Sequence, residues 1–199
     1  MSLSPEYFEH MFNASDDPWS FRTRWYEKRK RELTLASLPH QRYQRVFEPA
    51  CANGELSALL AGRCDSLLCQ DLNQTAVKLA RSRLREYGNV RVEHGRIPED
   101  WPTGRFDLIV LSEVGYFLNA AEWQQVIEQT LLSLSPEGGI MACHWLHAIE
   151  GCTQDGRQAH ASLERHLPLH RLVRHQEPDF LLEYWSRQAT SIDLGETTQ

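Results

Sequence analysis

The residues best able to do chemistry lie where an apolar run meets a turn, in Val46-Phe47-Glu48-Pro49-Ala50-Cys51-Ala52-Asn53-Gly54. Small residues in such a turn let the backbone approach a ligand. The helix that follows offers unpaired N–H groups suited to a carboxylate or phosphate. About 23 residues after Glu48 comes Asp71, at the end of a second apolar run, Leu68-Cys69-Gln70-Asp71-Leu72. At that spacing a carboxylate accepts hydrogen bonds from ribose hydroxyls. The two acids therefore predict an adenosine-bearing cofactor held across the tips of neighbouring strands, and this signal alone suits a dinucleotide as well as S-adenosylmethionine.

Two further groups could act on an acceptor. Glu113 stands just past Phe106-Asp107-Leu108-Ile109-Val110-Leu111, and His144 lies near the end of Ile140 to Trp145. Open parallel sheets hold ligands at the carboxyl ends of their strands. Glu113 and His144 are thus the candidates to orient or deprotonate a nucleophile, with Tyr26 and Tyr116 at the same mouth. Plainer duties also suit them: Glu113 as a helix cap, His144 as a satisfied core histidine, the tyrosines as packing. His144-x-x-His147 and His166-x-x-x-His170 have helix-compatible spacings, but neither includes the carboxylate of an HExxH arrangement, so no metal is expected. The cysteines, Cys51, Cys64, Cys69, Cys143 and Cys152, form no CxxC pair and read as reduced thiols.

Positioning these groups requires a sheet. From Arg45 to Trp145 short apolar runs alternate with amphipathic stretches, the pattern of βαβ units. Strands are predicted at Val46 to Glu48, Ser66 to Gln70, Val90 to Glu93, Phe106 to Leu111 and Ile140 to Trp145. Helices are predicted at Leu56 to Ala61, Thr75 to Tyr87 and Ala121 to Ser133. The run at Phe106 is almost wholly apolar, as a sheet covered on both faces requires. Ser135-Pro136-Glu137-Gly138-Gly139 should end the third of these helices. Beyond it, a helix from Gln158 to Leu167 precedes two strands, Arg171 to Gln176 and Phe180 to Arg187. The turn Glu177-Pro178-Asp179 is too short for a parallel crossover and makes the pair antiparallel. Ahead of the sheet, Asp16-Asp17-Pro18-Trp19 signals a turn leading to a helix over Arg24 to Leu35. Its charges read as a solvated face, while Trp19, Phe21, Trp25 and Tyr26 could form aromatic platforms, and Arg22 or Arg29 could pair with a cofactor carboxylate.

With 199 residues, 41% hydrophobic and 24% charged, the chain fits one globular domain. That domain divides into a helical front segment over 1–40, a core over 45–187 and a polar tail over 188–199. A formal charge of −6 argues against a phosphate backbone as partner. Glu6, Glu9 and a proline stand where a signal peptide would be basic and then apolar, and no apolar run reaches the roughly 20 residues of a membrane span. A cytoplasmic protein with a small-molecule or saccharide partner is expected, without nucleic acid or membrane.

Glu48 and Gly54 match the acid and the last glycine of the first motif of class I methyltransferases, an acid followed by Gly-x-Gly-x-Gly, with Ala50 and Ala52 in place of the other glycines. Asp107 near the start of its strand, Leu131-x-x-Leu134-Ser135-Pro136-Glu137-Gly138-Gly139 before a strand, and a terminal antiparallel strand extend the likeness. A dehydrogenase would need a longer second half-sheet. More narrowly, Tyr7-Phe8, Asp17 to Thr23, Trp25-Tyr26-Glu27-x-Arg29-Lys30, Glu48-Pro49, Arg63-Cys64-Asp65, Trp101-Pro102, Phe106 to Val114 and His144-Trp145 resemble the NodS family, the nodulation-protein-S-like methyltransferases. The resemblance implies a Rossmann-like α/β fold with a mostly parallel seven-stranded sheet, an antiparallel last strand and an N-terminal helical segment. It implies S-adenosylmethionine as cofactor, held by Glu48, Ala50, Gly54, Asp71, Leu72, Arg96, Ile97 and Ser112 with Arg22 and Trp25 from the front segment. It also implies N-methylation of an amino sugar or deacetylated oligosaccharide, with Glu113 and His144 in the catalytic positions. An O-methyltransferase and a cofactor-binding protein without catalysis remain open beside it.

Overall fold

The computed structural model describes residues 2–189, so the polar tail beyond Ala189 lies outside the described residues. Seven strands form one sheet: β1 (Tyr43–Pro49), β2 (Cys64–Asp71), β3 (Val90–His94), β4 (Phe106–Ser112), β5 (Leu134–Trp145), β6 (His170–Gln176) and β7 (Phe180–Ser186). Their order is β3-β2-β1-β4-β5-β7-β6. The first five run parallel, and β7 lies antiparallel between β5 and β6. The fold is the Rossmann-like one expected, with the strand order reversing between β1 and β4, where such sheets open a crevice.

Alternation along the central strands divides the core. Val46, Leu108 and Val110 point into one apolar cluster, closed by Ala58 and Leu60 of α3 (Glu55–Ala61) and Val77 and Ala80 of α4 (Gln74–Arg83). Phe47, Ile109 and Leu111 point into the other, closed by Trp123 and Ile127 of α5 (Ala120–Ser133) and Ala159 and Leu163 of α6 (Gly156–His166). Local chemistry starts these helices. Asn73 accepts from the Thr75 and Ala76 N–H groups, and Asn119/Glu122 and Asp155/Gln158 form reciprocal capping boxes.

Several details go beyond the sequence reading. A helix α1 (Pro5–Ala14) opens the chain, with proline in its first turn, where a missing N–H is harmless. The front helix α2 is Trp25–Ala36, and its start carries no side-chain cap. Instead Asp17 stabilises the preceding turn, accepting from the Phe21 and Arg22 N–H groups at 2.8 and 3.0 Å. Pro136 to Gly139 do not break the sheet, because β5 begins at Leu134 and absorbs them as a shift in its register with β4. Asp107 faces away from the crevice: its carboxylate accepts from the Gln44 and Arg45 N–H groups and pins the start of β1 to β4.

Candidate active site

The turn after β1 takes a conformation its sequence disfavours. Ala50 and Ala52 have φ of 56° and 48°, in the left-handed region that the glycines of the usual motif enter freely. Gly54 follows at 81° and begins α3. A Cβ there would stand 3.2 Å from Ala80 Cα, so Gly54 serves the close packing of α3 on α4 and lines no cavity. The strained turn is held from the neighbouring strand tip. Asp71 accepts from Ala52 N–H at 2.9 Å through one oxygen and from Asn73 N–H at 2.8 Å through the other, and the Cys51 N–H donates to the Gln70 carbonyl at 3.0 Å. Asn53 joins the turn to the front segment by donating to Asp17 at 2.9 Å.

A cavity of about 400 Å³ opens beyond these strand tips, within the range of small-ligand sites. Of the residues singled out in the sequence, Ala50, Asp71, Leu72, Arg96, Ile97 and Glu113 line it. Glu48 and Ser112 instead border an adjoining recess of about 50 Å³, which shares Glu27, Lys30, Ala50, Ala52 and Glu113 with the main cavity. Glu48 is only 3% exposed and takes a weak contact from the Cys69 thiol at 3.7 Å. Burial pushes its pKa from 4.5 up to about 7, and burial likewise pushes Asp71 from 3.8 up to about 6 against the two N–H bonds that lower it.

On the other side of β1 from Asp71, Glu113 follows β4 with a φ of 54°. One of its oxygens receives Lys30 Nζ at 2.5 Å. The other accepts from Trp145 N–H at 3.0 Å and from the Tyr116 hydroxyl. Lys30 also pairs with Glu27 at 3.1 Å. Burial alone would lower the Lys30 pKa, but the charges of Glu113 and Glu27 outweigh it and hold the ammonium above its ordinary value. Burial, reinforced by Glu113, raises that of Tyr116, which stays a neutral donor. The two carboxylates outnumber the one ammonium, so this wall favours a cationic group. Among the described residues, three of the four non-glycines at positive φ, Ala50, Ala52 and Glu113, line the cavity, and the fourth is Ser20. Such strain persists where the surrounding structure enforces it.

The remaining expectations need correction. His144 is fully buried and lines neither cavity. Its Nε2 accepts from Gly115 N–H at 3.0 Å and its Nδ1 meets His160 at 3.1 Å, so it stands behind the site. Trp25 is 67% exposed and outside the cavity. Arg22 is spent on Asp16 at 3.0 Å, and Arg29 on Glu177 in a two-pronged pair at 2.7 and 2.6 Å that draws the Glu177 pKa down to about 2. Arg24 is the front-segment arginine that lines the cavity. Tyr26 packs edge-on against Trp145 and Phe180. The sequence reading missed Glu27 and Lys30, which it placed on a solvated face. The signal was their spacing: Glu27, Lys30 and Thr34 form one helical stripe, and that stripe is the buried one. It also missed the aromatic wall of α1, Tyr7, Phe8 and Phe12.

Comparison with known proteins bears on this geometry. The profile of the nodulation protein S (NodS) family matches residues 8–162. The chain belongs to the NodS family. Nodulation protein S of Rhizobium tropici is 29% identical over 64% of this chain, and that of Bradyrhizobium diazoefficiens 28% over 62%. The matches span 55% and 60% of those relatives' own lengths, so the chain spans little more than half of each. A Pseudomonas syringae protein provisionally named a methyltransferase is 51% identical, with a TM-score of 0.75 over 82% of this chain and all of that one. The N-methyltransferase NodS of Bradyrhizobium japonicum, solved with S-adenosyl-L-homocysteine, superposes with a TM-score of 0.80 over 91% of this chain and 96% of that one at 22% identity, and shares the fold.

Two outcomes are expected from the turn and the buried acids. A left-handed alanine costs about 1–2 kcal/mol and glycine's extra chain freedom about 0.5–1. Ala52→Gly should therefore raise the unfolding free energy by up to about 1 kcal/mol in urea titrations, and a clear loss would mean that the turn is not strained. Glu48 carries a folded pKa above its unfolded one, so the folded chain keeps a proton that the unfolded chain has lost. The protein should lose stability as pH rises from 4.5 to about 7, by at most about 1.4 kcal/mol per pH unit from this group. Glu48→Gln should flatten the profile in that window, and identical profiles would contradict the burial of a protonated Glu48.

Proposed function

We propose that this chain is an S-adenosylmethionine-dependent methyltransferase that N-methylates an amine, with an amino sugar or short deacetylated oligosaccharide as the acceptor. The observation that carries this reading is that Asp71 at the tip of β2 and the Glu113–Lys30–Tyr116 cluster at the tip of β4, on either side of β1, line one cavity. Family membership supports the same reading.

The residues present fit the cofactor. Each carboxylate oxygen has capacity beyond one backbone bond, so Asp71 can accept from ribose hydroxyls while holding the Ala52 turn. Leu72 and Ile97 offer apolar flanks for a flat base, and Arg24 supplies positive charge for a carboxylate. When bound, the cofactor supplies a methyl group already activated by a sulfonium. The protein's task is then to align the nucleophile, a contribution of about 7–11 kcal/mol, while general-base help adds about 10² to 10⁴-fold.

Glu113 orients the amine and takes its proton, since an ammonium has no lone pair to attack with. Lys30, Tyr116 and the Trp145 N–H fix the carboxylate in place, and α2 is held as a wall of the cavity by Lys30–Glu113 and Arg29–Glu177. The aromatic rings of Trp19, Phe21 and α1 give apolar faces against which a sugar ring can lie.

The test is calorimetric and catalytic. S-adenosylhomocysteine should bind the parent protein, and Asp71→Ala should weaken it by about 1.5–3 kcal/mol, the range for a hydrogen bond to a charged group. With S-adenosylmethionine, glucosamine oligomers should gain a methyl group on nitrogen and their N-acetylated counterparts none. Preference for a nicotinamide dinucleotide, or methylation of the N-acetylated sugars on oxygen, would overturn the assignment.

A further inference from the structure

Behind the cavity lies a buried polar chain that the proposed chemistry does not use directly. It starts at the Gly115 N–H, which donates to His144 Nε2 at 3.0 Å. His144 Nδ1 stands 3.1 Å from His160 Nε2, and His160 Nδ1 stands 2.6 Å from Glu183 Oε2. His144, His160 and Glu183 are 0%, 2% and 1% exposed. At the outer end Arg171 and Arg174 of β6 approach Glu183 Oε1 at 3.0 and 3.4 Å and balance its charge.

The proton positions follow from the partners. A backbone N–H only donates, so His144 Nε2 must carry a lone pair. Its proton therefore sits on Nδ1 and points at His160, whose Nε2 must accept. That leaves the His160 proton on Nδ1, facing the Glu183 carboxylate. One arrangement satisfies every group, and its direction is fixed at both ends by groups that cannot reverse it.

The chain ends beside the acceptor site. Gly115 begins the short turn Gly115–Phe117, which carries Tyr116, the hydroxyl donor to Glu113. A Cβ on Gly115 would stand 2.9 Å from Ala159 Cβ and 3.0 Å from His144 Nε2, so this backbone is pressed directly against the imidazole. The Tyr116 ring also packs edge-on against His144, with centroids 5.6 Å apart. Burying two imidazoles and a carboxylate is expensive, and apolar residues would serve stability as well or better. What this chain adds is a fixed position for one backbone N–H.

We propose that His144, oriented by His160 and Glu183, is a positioning residue that sets the turn bearing Tyr116 and thereby aims Glu113 at the acceptor. It acts on the acceptor half of the site and leaves the half built on Asp71 alone. This inference rests on the methyltransferase reading, but its first test does not. Long-range ¹⁵N–¹H spectra of the parent protein should show His144 protonated on Nδ1 and bare on Nε2. The opposite tautomer would overturn the proposal whether or not an acceptor is found.

The second test measures turnover with S-adenosylmethionine and a glucosamine oligomer, and cofactor-site affinity with S-adenosylhomocysteine. His144→Phe should lower kcat by about 10- to 100-fold, the scale of a misplacement of about 1 Å. Its Kd for S-adenosylhomocysteine should stay within about twofold of the parent's. His144→Gln, whose amide oxygen can accept from Gly115, should recover most of the loss. Should His144→Phe not fold, Glu183→Gln at the far end of the chain should show the same split to a smaller degree. Cofactor affinity falling in step with kcat, or a kcat unchanged in folded variants, would reduce the chain to core packing. Absence of turnover in the parent would count against the amine reading, with the tautomer still deciding this one.

Discussion

The site hangs on one joint, the bond from Ala52 N–H to the Asp71 carboxylate. It ties the turn after β1 to the tip of β2, and the turn it ties holds two alanines in a backbone region that alanine avoids. The shape of the cavity floor depends on that joint, since Ala50, Ala52 and Asp71 together form its wall. The same carboxylate accepts from Asn73 and so also sets where α4 begins. A single buried acid thus fixes the fold locally and faces the ligand space. Its raised pKa follows from that burial, against the two N–H bonds that lower it.

Across the cavity the governing interaction is of the opposite kind. Lys30 reaches from α2 into the core and meets Glu113 and Glu27, and a buried ammonium with two carboxylates is tolerable only because each charge is answered nearby. The arrangement leaves one unit of negative charge over. A cationic group placed against this cluster would complete the balance. The aromatic side chains of α1 then give the cavity an apolar wall beside this charged cluster.

Much of the fold was legible because periodicity reports burial. Phe106 to Leu111 reads as a strand covered on both faces, and it is one, with successive residues feeding opposite clusters. The strand tips were legible too, since Asp71, Leu72 and Ala50 stand where acids and small residues end apolar runs. The failures share a cause. Glu27 and Lys30 look solvated in sequence because charges usually are, and only their partner Glu113, 83 residues from Lys30, makes their burial possible. His144 lies near the end of a central strand, as a catalytic group would, but alternation turns its ring toward His160 on α6 and away from the cavity. That two alanines stand in place of glycines does not reveal the left-handed turn, which is tied at Ala52 by Asp71 from another strand. Pairings between distant segments leave no local mark, and each of these outcomes depends on one.

The most direct measurement is a crystal structure with S-adenosylhomocysteine bound. The account predicts ribose hydroxyls on Asp71, the base between Leu72 and Ile97, and the sulfur facing the space bounded by Glu113, Lys30 and Tyr116. An adenosyl group seated away from Asp71, or a sulfur pointing away from Glu113, would contradict it.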